Sequence, residues 1–573
     1  MWALLTPTTF EKVDQTFQII KHNSLISYSL IIILIIYLII KLKCNILCNN
    51  KNILLLLFQD SIIKKMGFLR IKAQKRERGI KMDKNNGAIY DARKLGKPKM
   101  IILGIQHMFA MFGATILVPI ITGLDISTTL LMAGLGTLLF HCITKFKVPA
   151  FLGSSFAFLG GYAAIKALAP DDPNSMLPYA CLGVACAGLV YFILAAIIKA
   201  VGIDKVMRFF PPVVTGPIII AIGLGLAPSA VSNCTTNWLL AFVALAVIVI
   251  FNIWGKGMAK IIPIILGLLI SYGVGLVLYF ISQANPDLIQ NVPWLFSGGA
   301  DANGVYQPIF DFTSVNTICD NIAKGNIFGS EGLIGIPIHW EKTVFGGIDY
   351  SNTALIASSI IAIVPIAFAT MMEHIGDICA ISSTTGNNYI QDPGLHRTLT
   401  GDGLATTVAS LFGGPANTTY GENTGVLALT KVYDPRVIRI AAFFAVGVSF
   451  FPIVSAIIGS IPSCIIGGIS FVLYGMISAI GVRNVVENKV DFTKSRNLIV
   501  AAVILVCALG LSSDTVSFAI GSATITLSPL AVASIAGIVL NAIFPGKDYK
   551  FNTANASDAA NFEKEVEPKE KKK

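Results

Sequence analysis

The stretch "NTTYGENTGV", Asn417–Val426, decides how this chain is read. It lies between apolar segments yet holds one glutamate, two asparagines, three threonines, a tyrosine and two glycines. A second apolar segment, "FLGSSFAFLGG" over Phe151–Gly161, is likewise short and broken by glycine. A membrane helix interrupted in this way exposes backbone N–H groups at a half-helix start. Interrupted segments at corresponding positions of two halves point to an inverted-repeat transporter with its site near the bilayer midplane.

The rest of the chain supplies the two halves. It has 573 residues, 54% hydrophobic and 13% charged, with mean hydropathy +0.72. A soluble domain carries about 25% charged residues. Apolar stretches long enough to cross a bilayer recur from Met100 almost to Phe544, so the fold class is an all-α polytopic membrane protein. About fourteen segments lie near 100–122, 126–144, 150–167, 176–199, 206–229, 237–254, 261–283, 353–381, 398–412, 418–430, 436–458, 462–480, 497–512 and 525–544. The fifth of each half holds Pro and Gly: "PPVVTGPIIIAIG" and "IPSCIIGGISF". An odd number per half makes the repeats inverted, 7+7.

Charge sets the expected orientation. Lys145, Lys147, Lys199, Lys205, Arg208, Lys256 and Lys260 fall on one side. Lys431, Arg436, Arg439, Arg483, Lys489, Lys494, Arg496 and the tail "KEKKK" fall on the same side. By the positive-inside rule that side is cytoplasmic, and both ends of the 82–573 chain lie there, in what reads as a bacterial plasma (inner) membrane. The expected organisation is a cytoplasmic N-terminus over 82–99, a first repeat over 100–280, an extracellular stretch over 281–350, a second repeat over 351–545 and a charged cytoplasmic tail over 546–573.

Residues 1–81 stand apart. They hold 13 Lys/Arg against 4 Asp/Glu, whereas the remainder is near neutral. One apolar run, "LISYSLIIILIIYLII", reads either as an anchor helix or as translated upstream sequence with the start at Met82. The purine-codable "KRERGIK" before Met82 favours the second reading.

Function classes fall away in turn. The near-neutral working region lacks the basic surface of a nucleic-acid binder. The ten cysteines show no metal spacing or disulfide framework. No nucleotide loop, metal cluster or nucleophile–base arrangement suggests an enzyme or a cofactor.

Three carboxylates inside apolar segments carry the chemistry, because ionisable groups at membrane depth are costly and functional by default. In "PIAFATMMEHIGDICAI", Glu373 and Asp377 are four apart and share a helical face, expected to be buried; His374 points to a neighbouring face. Two carboxylates that close disfavour joint ionisation, so one keeps its proton. Glu422 is the third. His107 and His374 read equally as packing histidines, and Asp402 reads as a helix cap. Gly421 lets a ligand approach the backbone, Glu422 can accept N–H bonds, and Tyr420 and Phe156 offer aromatic faces. Such a pocket fits a small, flat, uncharged solute with N–H donors and C=O acceptors, as in a nucleobase; an anion is repelled by the carboxylates.

At these residues the chain resembles the nucleobase–ascorbate transporter family, in its uracil permease branch. "QHMFAMFGATILVP", "FLGSSFAF", "EHIGD", "DPGLHR" and "NTTYGENTGVLALTK" look like family blocks over about Lys99–Phe544. The resemblance implies fourteen segments split into a core (one to four, eight to eleven) and a gate (five to seven, twelve to fourteen). It also implies short strands in segments three and ten, proton or sodium symport (sodium the lesser alternative) and a homodimer. Uracil would be held by Glu373, Glu422, the Gly421 N–H and stacking on Phe156. Tyr420 would line the site, Tyr474 would face it from the gate, and Ser155 and His107 would stand behind. Glu373, Asp377, Glu422 and His107 are the proton-coupling candidates. Asp377, where some uracil permeases have His, leaves xanthine as the alternative substrate. An anion exchanger or channel on a similar fold is the alternative from another class.

Overall fold

The computed structural model describes residues 88–546, apart from 207, 257, 302, 512–516, 521, 522 and 527. The expectations for 1–81 and for most of the tail lie outside these residues.

Helix follows apolar run from the start. Helices α1 (Lys97–Thr122) and α2 (Ile126–Ile143) form a hairpin. Gly123, at φ +87°, ends the first, and Asp125 caps the second by accepting the Thr128 N–H at 2.7 Å. Strand β1 (Leu152–Ser154) and helix α3 (Leu159–Lys166) make up the third segment. Helices α4 (Leu177–Val201), α5 (Pro212–Cys234), α6 (Trp238–Trp254) and α7 (Pro263–Ala284) complete the first half.

The stretch over 281–350 is folded. It holds a hairpin of β2 (Ser297–Ala300) and β3 (Tyr306–Pro308), then the amphipathic helix α8 (Thr313–Ala323).

The second half opens with α9 (Thr353–Ile363) and α10 (Ala367–Thr385), one span interrupted by a tight turn at Val364–Ile366 that contains Pro365. Helix α11 (Leu395–Leu411), strand β4 (Asn417–Thr419) and helix α12 (Gly421–Thr430) follow. The segment expected over 436–458 is not one rod. Helices α13 (Pro435–Ser449) and α14 (Pro452–Gly459) meet at 87°. Pro452 lacks the N–H that would continue α13, so the chain turns there. Helix α15 (Ser463–Glu487), helix α16 (Ser495–Gly510), a hairpin of β5 (Ser517–Ile520) and β6 (Ala523–Thr526), and helix α17 (Pro529–Ile543) close the chain.

Among the described residues, seven spans are long and apolar enough to cross a bilayer, and the bent α13–α14 pair makes an eighth. Helices α6, α16 and α17 are apolar but shorter. The chain is therefore a helical, multi-pass membrane protein.

The helices pack in two groups. In one, α4 packs on α9 and α11, α2 on α11 and α13, and α1 on α13. In the other, α5 packs on α15, α16 and α17, α6 on α7 and α15, and α16 on α17. The α5–α15 crossing is close because it is built on glycine. A Cβ on Gly223 would stand 2.2 Å from the Tyr474 carbonyl oxygen, and one on Gly481 2.6 Å from the Ile220 nitrogen. Small residues are how membrane helices gain contact when water drives nothing between them.

The chain before α1 is stitched to the loop after α12. Ile89 N–H donates to the Lys431 carbonyl, Tyr433 N–H donates back to Ile89, and Ala92 N–H donates to Asp434 Oδ2 at 2.7 Å. Arg436 Nη1 stands 3.1 Å from both Asp91 and Asp434. The Arg93 side chain, bonded to Asp91, holds the Asp91 carboxyl down at about 2.

Candidate functional site

The two glycine-broken segments meet. Strand β1 pairs antiparallel with β4, with Leu152 opposite Thr419, Gly153 opposite Thr418 and Ser154 opposite Asn417. The ladder extends at both ends, where Ser155 N–H donates to Ala416 and Tyr420 N–H to Phe151, each at 3.0 Å. The crossing is buried, so this pairing satisfies backbone groups that a broken helix would leave bare. Tyr420 fastens it: its hydroxyl donates to the Ser154 carbonyl at 2.8 Å and accepts from Thr115 Oγ1 at 3.2 Å. Gly153 makes room, since a Cβ there would lie 2.6 Å from the Tyr420 ring.

Helix α12 begins at Gly421, directly after the crossing, and Gly421 is exposed. A helix start carries partial positive charge and free N–H donors. Asp377 stands against it: a Cβ on Gly421 would lie 3.3 Å from Asp377 Oδ1. Thr419 Oγ1 donates to Asp377 Oδ2 at 3.1 Å. The expectation that Glu373 and Asp377 are both buried is corrected here. Asp377 is half-buried and Glu373 is exposed. Glu373, Gly376 and Ala380 form an open stripe at helical spacing, because α10 packs on its neighbours through its other faces.

His374, one residue from Glu373, is fully buried. Its Nδ1 lies 2.9 Å from Asp402 Oδ2 and 3.2 Å from Thr419 Oγ1. The contact with Asp402 is not aligned as a hydrogen bond, and it sets an imidazole against a carboxylate with both side chains fully buried. Asp402 is thus no helix cap: α11 starts at Leu395, two turns earlier, and the carboxylate points into the protein. Asp402, read from the sequence as a cap, and Thr419, one of three threonines in Asn417–Val426, are the residues whose place beside His374 the sequence did not assign. A carboxylate within the segment over 398–412 was the signal for the first, and the polar run Asn417–Val426 held the second without distinguishing it from Thr418 and Thr424.

The other expected residues fall around the crossing. Phe156 is half-buried and meets Tyr474 edge-on, ring centroids 6.1 Å apart, which brings the two helix groups together. Ser155 Oγ is buried and makes no hydrogen bond to a described residue, and the Tyr474 hydroxyl lies beside Ser470 and Ser229 without an aligned hydrogen bond. His107, fully buried on α1, lies beside Asn423 without an aligned hydrogen bond, and neither side chain bonds another described residue. Buried polar groups of this kind are ones a polar ligand or water satisfies. Glu422 lies in the first turn of α12; its side chain is outside what the structure describes. Gly425, one turn beyond Gly421, lines a cavity of about 160 Å³ with Phe109 and Gly113 of α1, Asn252, Ile264 and Met476. Phe156, Tyr474 and Glu373 do not line that cavity.

The two broken spans cross against α1, α2, α10 and α11, and similarity to known proteins makes the chain a membrane permease, a transporter and not an enzyme. A permease-family model, that of the xanthine and uracil permeases, matches residues 98–517, and the chain belongs to that family, the nucleobase–ascorbate transporters. The chain is 37% identical over 456 residues to the uracil permease of Bacillus caldolyticus, covering 78% of this chain and 92% of that one. It is 37% identical over 458 residues to the uracil permease of Bacillus subtilis (strain 168), with the same coverage. Among solved structures, the transmembrane domain of a cyanobacterium bicarbonate transporter, BicA, superposes with TM-score 0.51 at 14% identity, covering 79% of this chain and 99% of that one. That likeness concerns the fold alone.

Proposed function

We propose that this protein imports uracil across the plasma membrane by proton symport, with alternating access. The observation that carries the reading is the carboxylate at the crossing. Asp377 stands at the start of α12, beside the Gly421 backbone and one turn from the exposed Glu373. Donor and acceptor thus sit side by side, as a uracil ring requires. Relatives at 37% identity are named uracil permeases, which supports the same substrate.

Glu373 and Glu422 accept the ring N–H groups, the Gly421 amide donates to a carbonyl, and Phe156 stacks. Tyr420, Tyr474 and Ser155 shape the pocket. Glu373 takes the coupled proton, with Asp377, Glu422 and His107 tuning it. Closure covers the open stripe that carries Glu373, where a charge at membrane depth is expensive, so protonation favours the closed site. Sodium is the lesser alternative.

The repeat and the alternation draw support from the packing. Shifting each segment number by seven turns the α4–α11 contact into α13–α2, and α9–α4 into α1–α13. It likewise turns α5–α16 into α15–α6, and α6–α7 into α16–α17. Such reciprocity is expected of fourteen segments in a 7+7 inverted repeat. The first helix group is then the core and the second the gate, and they rock against each other around the crossing. A homodimer, both ends of the 82–573 chain in the cytoplasm, and xanthine as the alternative substrate belong to the same proposal. The neighbouring carboxylates weigh against the anion reading that BicA's fold would otherwise allow.

The test is uptake of labelled uracil into cells lacking their own permeases, in competition with xanthine and uric acid and with and without a proton uncoupler. Uptake inhibited by uracil and by the uncoupler is expected. Preferential inhibition by xanthine would transfer the site to purines, and indifference to both would refute the reading.

A further inference from the structure

The stretch that separates the two halves ends in "NIFGSEGLIGIPIHW", Asn326–Trp340, which is apolar for a connection expected to sit in water. Its apolar side chains point outward. Phe328 is 79% exposed and Ile336 76%, with Ile327 and Ile334 also exposed. This exposure is fixed by the backbone. Ile334 N–H donates to Ile327 at 2.9 Å and Gly329 N–H to Ile334 at 3.0 Å, closing the loop on itself. Gly335 N–H donates to the Phe450 carbonyl at 2.9 Å, and the Pro337 carbonyl accepts from Thr128 Oγ1 at 2.6 Å. The loop is therefore tied to the ends of two helices, α13 and α2.

The tie to Phe450 places the loop at a particular level. Phe450 and Phe451, both exposed, occupy the 87° bend where α13 ends and α14 turns aside. Helix α13 carries the exposed Phe443 two turns earlier, so one apolar surface runs from a spanning helix through the bend to the loop. Between loop and bend opens a groove of about 560 Å³, lined by Phe328, Ile334, Ile336, Ile338 and Phe450, with Ser330 and His339 at its polar margin. The exposed Lys324 and Lys342 flank the loop in sequence, where amphipathic side chains can reach headgroups while their stems stay apolar. Glu331, the acidic residue at the tip, is held back by Asn321, whose Nδ2 lies 3.3 Å from its carboxylate and from its carbonyl.

We propose that Ile327–Ile338 seats in the bilayer leaflet on its own side of the membrane, with a phospholipid acyl chain in the groove against Phe450. An outward apolar patch of this size, continuous with the lipid-facing surface, is what a lipid leaflet covers. The inference rests on the membrane fold and is independent of the substrate.

The test places the photo-reactive residue p-benzoylphenylalanine at position 328 and, separately, at 336 in the full chain in vesicles of radiolabelled phospholipid. Phe443 serves as the lipid-facing control. Asn303, exposed at the tip of the β2–β3 hairpin, serves as the aqueous control. After irradiation, lipid label at 328 and 336 should match that at 443 and exceed that at 303 several-fold. Label at the level of 303 at both positions, with 443 still labelled, would overturn the proposal. A protein band of doubled mass in its place would assign the patch to a second copy of the chain. Position 336 keeps the test open should the change at 328 disturb the loop.

Discussion

Gly153→Ala tests whether the crossing is built as described. The new methyl group would stand 2.6 Å from Tyr420 Cε2, 2.7 Å from its Cζ and 2.7 Å from Thr115 Oγ1. The ring lies in a buried crossing and must move, and both hydroxyl bonds, to Ser154 and from Thr115, go with it. Two buried hydrogen bonds are worth about 1 kcal/mol each. Overpacking adds about 1–3 kcal/mol. The variant should therefore lose roughly 3–5 kcal/mol. Tyr420→Phe removes the same two bonds without a clash and should lose only about 2 kcal/mol. Thermal unfolding in detergent, with and without uracil, measures both. Gly153→Ala should melt below Tyr420→Phe, and its stabilisation by uracil should shrink further, because β1 and the Phe156 that follows it are displaced together. If Gly153→Ala melts no lower than Tyr420→Phe and is stabilised by uracil as the parent is, the ring does not pack on Gly153.

Asp402→Asn changes the buried partner of His374 and should cost about 1–3 kcal/mol, the range for a buried polar group left poorly satisfied. The double variant His374→Gln/Asp402→Asn should recover part of that melting temperature, and no recovery would show that the two are not coupled. Glu422→Gln exchanges an acceptor for a donor and should weaken uracil binding by about 1–3 kcal/mol, read by calorimetry; unchanged affinity would remove Glu422 from the site. Asp91 has a depressed carboxyl, so its contribution is present above the ordinary carboxylate range and is lost only as pH falls toward about 2. Asp91→Asn should accordingly leave the shape of the uptake profile between about pH 5 and pH 8 unchanged. A shifted profile would bring the Asp91–Arg436 cluster into the coupling.

What the sequence revealed follows from which signals are local. Gly153, Gly421 and the polar run after Ala416 interrupt apolar stretches, and an interruption is visible in one dimension; the broken segments were legible for that reason, whereas their pairing as strands was an implication of the family resemblance. The bend at Phe450–Phe451 was not, because apolar composition continues through it and only Pro452 marks the turn. The orientation of α10 was half legible. Glu373 and Asp377 share a face by spacing alone, but α10 is apolar enough that no stripe tells which face is open, and Glu373 proved exposed. The pairing of His374 with Asp402 depends on the rotation of two packed helices about their own axes, which no spacing within either helix contains. The apolar loop at Ile327–Ile338 was on the page as composition, yet only its tie to Phe450 gives it a level in the membrane.

The most direct test of the proposed coupling is uracil accumulation in proteoliposomes with an imposed pH gradient, acidic outside, and no sodium. The parent chain should concentrate uracil above equilibrium and lose that accumulation when an uncoupler collapses the gradient. Glu373→Gln should bring uracil to equilibrium at most, even where some binding survives. Accumulation by Glu373→Gln equal to the parent's would contradict its role as proton carrier. Accumulation by the parent that needs sodium and ignores the pH gradient would contradict proton coupling itself.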